Sequence, residues 1–334
     1  MTTQETQTPG SHSAEAYRRG PHWMALFAAL FTLPLLFVGG SVTTYRVGLA
    51  VPDWPTTFGM NMFLYDFWNA PFGVRVEHTH RLYGAAVGLA TIGLLVCLMA
   101  FDSRRWLKVL GVVALAAVII QGILGGTRVT EVSTLLAAVH GCTGQAFFGL
   151  IVAIAVFTGR DWAVAVGPSP DPTGVRPWSL GLLALVYGQI VLGAWLRHFG
   201  TLWSLFAHGA MAVAVLTVAL RLAWNVLRNR AGSESLQWPA RFLAISVVLQ
   251  ALLGLGALLY LLPFGGVPMP VGLYEAMVRT GHQTNAALLL ASSVVLALRA
   301  RRHFCATLDD SIAGWGTPSE SKSGLAPASL EVVA

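Results

Sequence analysis

The chain has 334 residues, 55% of them hydrophobic and only 11% charged, against roughly 25% charge in an average soluble domain. Water is therefore not its main solvent. The net charge of +6 does not point to nucleic acid, because the arginines form short clusters at helix ends rather than one basic face or tail.

A hydrocarbon core about 30 Å thick takes roughly 20 apolar residues per helix. In chain order, eight stretches have that length: 23–44, 78–100, 104–127, 134–158, 178–197, 203–227, 240–262 and 274–299. Residues 1–22, rich in Ser, Thr, Gly, Pro and charge, read as a disordered tail. The first apolar run is too long for a signal-peptide core and lacks a small-residue cleavage site, so it is read as a retained helix. The segment 45–77 that follows is long and aromatic, with Trp54, Phe58, Phe63, Tyr65, Phe67 and Trp68. Long loops without a disordered composition are usually functional, and this one is expected to lie as a lid over a site in the first half. Residues 161–177 read as a linker and 304–334 as a second tail. Cys97, Cys142 and Cys305 fall at different depths and form no disulfide framework or thiolate cluster.

Three odd-numbered stretches carry one motif near their outer ends: Gln121-Gly-Ile-Leu-Gly125, Gln189-Ile-Val-Leu-Gly193 and Gln250-Ala-Leu-Leu-Gly254. Each even-numbered stretch carries one histidine near the same surface: His80, His140, His208 and His282. The pattern implies an all-α integral membrane protein of two tandem four-helix bundles, 23–160 and 178–303, in which His80 corresponds to His208 and His140 to His282. If the first helix starts inside, 15 of the 21 Lys and Arg residues fall on the inner side. Both termini are then cytoplasmic. The six on the outer side are Arg46, Arg75, Arg81, Arg128, Arg197 and Arg279.

Polar groups inside a membrane are costly and face a bundle interior or a cavity. One such histidine is commonly an interhelical hydrogen-bonding partner, whereas four in register need a shared explanation. Imidazole is an axial ligand for iron, and a four-helix bundle can set two histidines on either side of a flat macrocycle. The reading is one haem per bundle, ligated by His80 with His140 and by His208 with His282. Zinc would need a further ligand, and the nearest in the second half, Glu275, lies two turns from His282. His12, His22, His198 and His303 lie in the tail or at helix ends. His78 points to a different face from His80 and is read as interfacial, with proton transfer as its lesser alternative.

Only the first half places an acid one turn from its first histidine: Glu77-x-x-His80-Arg81, against Leu205-x-x-His208-Gly209. A carboxylate there can take a proton or stabilise positive charge on a substrate carbon; the plainer alternative is a Glu77–Arg81 pair on an exposed helix. Arg128, Arg197 and Arg279 lie where haem propionates would emerge, and snorkelling is the alternative for each.

These residues resemble the haem A synthases of the bacterial and mitochondrial type. The likeness covers about 23–299. It is carried by Gly-Gly-Ser-Val-Thr near 39–43, Gly48-Leu-Ala-Val-Pro-Asp-Trp-Pro-Thr-Thr-Phe-Gly59, Glu77-His-Thr-His80-Arg81, the Gln-x-x-Leu-Gly repeats and the four histidines. The resemblance implies oxidation of the C8 methyl of haem O to the formyl group of haem A, the cofactor of haem-copper respiratory oxidases, by successive hydroxylation and loss of water. It implies that His80 and His140, with Arg81 and Arg128, hold the substrate haem while Glu77 assists oxidation. It also implies that His208 and His282, with Arg197 and Arg279, hold a resident haem b that relays electrons. Many relatives carry a cysteine pair in the first outer loop, where this chain has Val51 and Thr57.

Two other readings share parts of this pattern. A di-haem b electron carrier, such as a quinol-oxidising cytochrome, would use all four histidines but has no need of an acid in one half only. A two-repeat transporter would place ionisable groups at several depths, whereas here they sit in the outer third. The expected location is a bacterial plasma membrane, with the haem sites towards the outer face. The expected partners are lipid, a haem O-producing enzyme and oxidase assembly factors, and a homo-oligomer is compatible with the pattern.

Overall fold

The computed structural model describes residues 17–163, 169–171, 173–228, 234–261 and 270–304. Through them run α1 (Arg19–Thr44), α2 (Phe72–Phe101), α3 (Arg105–Thr130), α4 (Thr134–Thr158), the short α5 (Arg160–Ala163), α6 (Val175–Phe199), α7 (Leu202–Arg228), α8 (Glu234–Leu259) and α9 (Leu273–His303). Among the described residues there is no strand, only isolated bridges. All helices but α5 are long and apolar enough to cross a bilayer, and eight is the number read from hydropathy. The chain is a multi-pass membrane protein.

Helix neighbours form two rings. α1 packs on α2 and α4, and α3 on α2 and α4; α6 packs on α7 and α9, and α8 on α7 and α9. The rings meet where α9 touches α1 and α4 and where α4 touches α6. Each ring has its own core. Leu94, Leu98, Leu107, Ile151 and Ile154 fill the first, and Leu182, Leu222, Leu236, Leu243 and Leu296 the second. Large apolar side chains such as Leu89, Val96, Ile245 and Leu252 stay exposed on the outside, because the surrounding solvent is itself apolar. α9 touches both rings and is the most buried span. It accordingly carries small and polar residues, Thr280, Asn285, Ser292 and Ser293, at buried positions, which let helices approach closely and bond across the interface.

Two helices begin earlier than hydropathy suggests, α2 at Phe72 rather than 78 and α8 at Glu234 rather than 240. Arg75 and Glu77 in α2, and Glu234 and Gln237 in α8, interrupt the apolar run within these opening turns. In α8, Pro239 has no N–H for the carbonyl of Ser235 four residues back; Arg299 Nη1 donates to that carbonyl instead, at 2.7 Å. α1 starts at Arg19, inside the stretch 1–22 read as a tail, and α5 opens the stretch read as a linker. The remainder of the first tail (1–16), residues 305–334 with Cys305 and Lys322, and Arg230 lie outside the described residues.

At the end where α1 starts, Arg104 reaches the carbonyl of Phe157, Arg299 pairs with Asp161, and His22 Nδ1 lies 3.0 Å from Ala155 O. The histidine-bearing turns of α2, α4, α7 and α9 gather at the other end.

Candidate functional site

The four histidines lie six to nine residues into α2, α4, α7 and α9, about 9 to 14 Å along each axis. They meet in two pairs. The ring centroids of His80 and His140 are 6.2 Å apart with planes at 90°. Those of His208 and His282 are 6.3 Å apart at 77°. Among the described residues, no group of three His, Cys, Asp or Glu side chains comes together as a metal cage.

What sets these positions is a glycine on the neighbouring helix. His80 rests on Gly39 of α1, His140 on Gly125 of α3, His208 on Gly193 of α6 and His282 on Gly254 of α8. A Cβ added at those glycines would come within 2.8, 3.2, 2.8 and 3.0 Å of the imidazole Cε1. The Gly of each Gln-x-x-Leu-Gly motif is thus an imidazole socket. The fourth socket, Gly39, lies outside the motif because Leu35 stands where the other helices have Gln. Nδ1 of His80, His140 and His208 is buried without a hydrogen-bond partner.

The glutamines of the motif steady the neighbouring helix. Gln189 Nε2 donates to the carbonyl of His208 at 2.9 Å. Gln250 Nε2 faces His282 Nδ1 at 3.2 Å while Gln250 Oε1 accepts from Asn285 Nδ2 at 2.8 Å. Gln121 Nε2 donates to Thr143 Oγ1 at 2.5 Å. Thr143 and Asn285 each stand three residues after their histidine, so the same two positions bond in both rings.

The first ring also has a cover. The segment between α1 and α2 is stapled to the opening turns of α2 by Glu77, His78 and Arg81. Glu77 is 3% exposed; its Oε2 accepts the Val51 N–H at 3.0 Å and its Oε1 an Arg81 Nη2 proton at 3.0 Å. Arg81 also donates to the carbonyls of Asp53 (2.7 Å), Thr56 (2.8 Å) and Val51 (2.9 Å). The Glu77–Arg81 pair is therefore a buried one, and the Arg81 fork is occupied by main chain rather than open to a ligand carboxylate. His78, read as interfacial, is 1% exposed. It lies under the segment against Tyr65 and Phe67, with Thr57 Oγ1 at 3.2 Å from Nδ1; hydropathy could not show that the loop folds back over it.

Inside the cover, Phe58 and Gly59 make a tight turn with φ of 52° and 77° between Thr57 and Met60. Asp53 ties it down, accepting from Phe58 N, Gly59 N and the Thr56 hydroxyl. Burial alone would raise the Asp53 pKa, but these donors together hold it at about 2. Its support is complete above the ordinary 3.8 and fades only as pH falls through about 2, so the turn is insensitive to pH in the physiological range. The Trp54 indole sits on Gly126 of α3, where any Cβ would overlap it. Consecutive glycines thus seat His140 and the cover.

The arginines separate by partner. Arg128 lies on Gly48 and donates to its carbonyl at 2.6 Å. Arg197 crosses from α6 to α1, donating to Gly40 O at 2.8 Å and Thr44 Oγ1 at 2.7 Å, and its Nε is buried without a partner. Arg279 pairs with Glu275 at 2.6 Å.

Residues 21–205, more than half of the chain, match the family model COX15-CtaA, described as cytochrome oxidase assembly protein. Three similar curated proteins are each named Heme A synthase. One from Symbiobacterium thermophilum is 29% identical over 237 residues, covering 62% of this chain and 76% of its own. One from Caulobacter sp. (strain K31) is 26% identical over 340 positions, covering 84% and 95%. One from Rhodopseudomonas palustris (strain BisA53) is 26% identical over 358 positions, covering 86% and 92%.

Proposed function

We propose, from the premise that the chain belongs to the COX15-CtaA family of cytochrome oxidase assembly proteins, that it is a haem A synthase, oxidising the C8 methyl of haem O to a formyl group. The observation that carries this reading is the pair of histidine sites. An iron bonded at about 2 Å to each of two imidazole nitrogens, themselves about 1 Å from their ring centres, sets the centroids roughly 6 Å apart. The separations of 6.2 and 6.3 Å meet that requirement in both rings. The unpartnered Nδ1 atoms and the glycine sockets fit rings held for a ligand rather than for each other.

The two sites take different roles because, among the described residues, only the first has a cover and an acid one turn from its first histidine. His80 and His140 hold the substrate haem O beneath residues 45–71, and Arg128 takes a propionate. Arg81 holds the cover and Glu77 in place. His208 and His282 hold a haem b, which when bound supplies a one-electron relay; Arg197 and Arg279 stand by its propionates. Glu77 sits one turn from His80, and each of its oxygens keeps a lone pair beyond the hydrogen bond it accepts. It takes up the proton released as the methyl carbon is oxidised, or stabilises positive charge on that carbon. The two rings, 23–160 and 178–303, are copies of one four-helix unit. Both termini lie in the cytoplasm of a bacterial cell, and the sites face the outer surface of its plasma membrane.

Glu77→Gln tests the role of the acid, since the amide oxygen can still accept from Val51 N while the charge is lost. Haem A formation should fall by about 10²-fold or more, with the haem content of the second ring unchanged. A fall that only follows opening of the cover, read by limited proteolysis of the same variant, would reduce Glu77 to a latch, and formation at the wild-type rate would remove it from the reaction.

A further inference from the structure

The face of α2 that meets lipid changes character towards the histidine end. Leu89 and Val96 follow His78 by 11 and 18 residues, close to whole turns of 3.6 residues each. Val74 stands one turn before His78 on the same face. Leu89 is 69% and Val96 60% exposed, whereas His78 is 1% and Val74 7% exposed. What hides the last two is the cover. Tyr65 and Phe67 lie against the His78 ring, 5.3 and 5.8 Å between centroids, and Val51, Ala70 and Val74 form a small core with Tyr65 beside it. The segment thus wraps the lipid side of α2. Leu64 and Trp68 adjoin the two inward-facing rings and, with Phe63, stay open at 76%, 82% and 65% exposure respectively.

The depth of this patch follows from the length of α2. Its 30 residues span about 45 Å, half as long again as a hydrocarbon core of about 30 Å. Asp102 and Arg104, an ion pair directly past its last residue, mark the boundary away from the histidines, so about 20 residues of core end near Arg81. Residues 72–80, and the cover beside them, then stand in the headgroup layer on the histidine side. That layer favours aromatic side chains and accepts polar ones. The patch has both: Asn69 Nδ2 donates to Asp66 Oδ2 at 2.8 Å, and Arg75 is exposed one turn from His78.

We propose that Phe63, Leu64 and Trp68 dock the cover into the headgroup layer, so that lipid holds from outside the segment that Glu77, His78 and Arg81 hold from below. The partner is lipid rather than protein because the patch continues the face of Leu89 and Val96 at the height of the headgroups. The docking depends neither on the proposed reaction nor on which way the chain crosses the membrane.

Spin labels on the full-length, haem-loaded protein in phosphatidylcholine vesicles test it. Leu64→Cys, Trp68→Cys or Leu89→Cys carries the label in a Cys97→Ala, Cys142→Ala, Cys305→Ala background, and relaxation by oxygen and by a water-soluble nickel chelate reports its depth. Labels at 64 and 68 should lie between the acyl depth of the label at 89 and water, open to both reagents. Leu64→Ser with Trp68→Ser should speed proteolytic cutting within residues 54–68 about tenfold, the scale of apolar side chains losing their lipid contact, with haem content unchanged. Leu64→Phe with Trp68→Phe keeps the apolar bulk and should be cut at the wild-type rate. Labels at 64 and 68 as open to nickel as a free label in water would overturn the docking. So would labels closed to both reagents, the mark of a protein partner or a second copy. Cutting at the wild-type rate in the serine pair, or as fast in the phenylalanine pair as in the serine pair, would overturn it equally.

Discussion

Gly193→Ala should strip the proposed resident haem b of the second ring from the purified protein, while Gly209→Ala, beside His208 on the next helix, should not. A methyl at 193 would stand 2.8 Å from His208 Cε1, whereas at 209 nothing lies within 4 Å. Real carbon contacts need more than half an ångström beyond 2.8 Å, so the imidazole must move, and a ligand displaced by that much loses its bond to iron. Disturbing the support of a ligand typically costs 10- to 100-fold in metal affinity, and direct overlap with the ring places the loss at the upper end. Gly254→Ala should act in the same way through His282. Gly39→Ala and Gly125→Ala crowd His80 and His140 at 2.8 and 3.2 Å; they should leave the resident haem spectrum intact and abolish haem A formation. The measurement is the low-spin optical spectrum per mole of protein alongside product analysis. Loss of resident haem from all four variants alike would contradict the division of roles between the rings.

Arg81→Ala should open the cover and silence the first site. Removing one partner of a buried ion pair typically costs 3–5 kcal/mol, because the other charge is left uncompensated; here Glu77 would be stranded and three loop carbonyls would lose their donor. Limited proteolysis should then cut within residues 54–68 faster than in the wild-type protein, and haem A formation should fall to background with the second ring's haem unchanged. Arg81→Lys should fail almost as badly. One ammonium nitrogen cannot span the four acceptors that the planar guanidinium reaches. A lysine variant with wild-type protection and activity would show that charge alone holds the cover.

The depth and pairing of the four histidines were legible because each effect has a period or a cost that sequence displays: 20-residue apolar runs and one histidine per even span. The three Gln-x-x-Leu-Gly motifs could be seen but not interpreted. Only the fold shows that their glycines are sockets and that Gln250 is itself oriented by Asn285. Arg81 and His78 were harder. Both sit on a helix whose first turns look exposed when read alone, and their burial depends on a 27-residue segment folding back over them. Nothing periodic announces such a fold. Its determinants are single contacts, Asp53 on the Phe58–Gly59 turn and Trp54 on Gly126. The positions where relatives carry cysteines follow the same logic. Val51 and Thr57 are both buried, and both bond to α2, through the Val51 N–H on Glu77 and the Thr57 hydroxyl on His78. Hydrogen bonds to the helix below thus anchor the cover at those two points.

The central claim is that two imidazole pairs serve different haems, one resident and one converted. Its most direct measurement is to express the full chain with a source of haem O, extract the haems from the purified protein, and identify them by chromatography and mass. The account predicts haem A together with about one equivalent of haem b, and His80→Ala or His140→Ala should leave only the haem b. Recovery of two unmodified b haems and no haem A would contradict it and leave an electron carrier in its place.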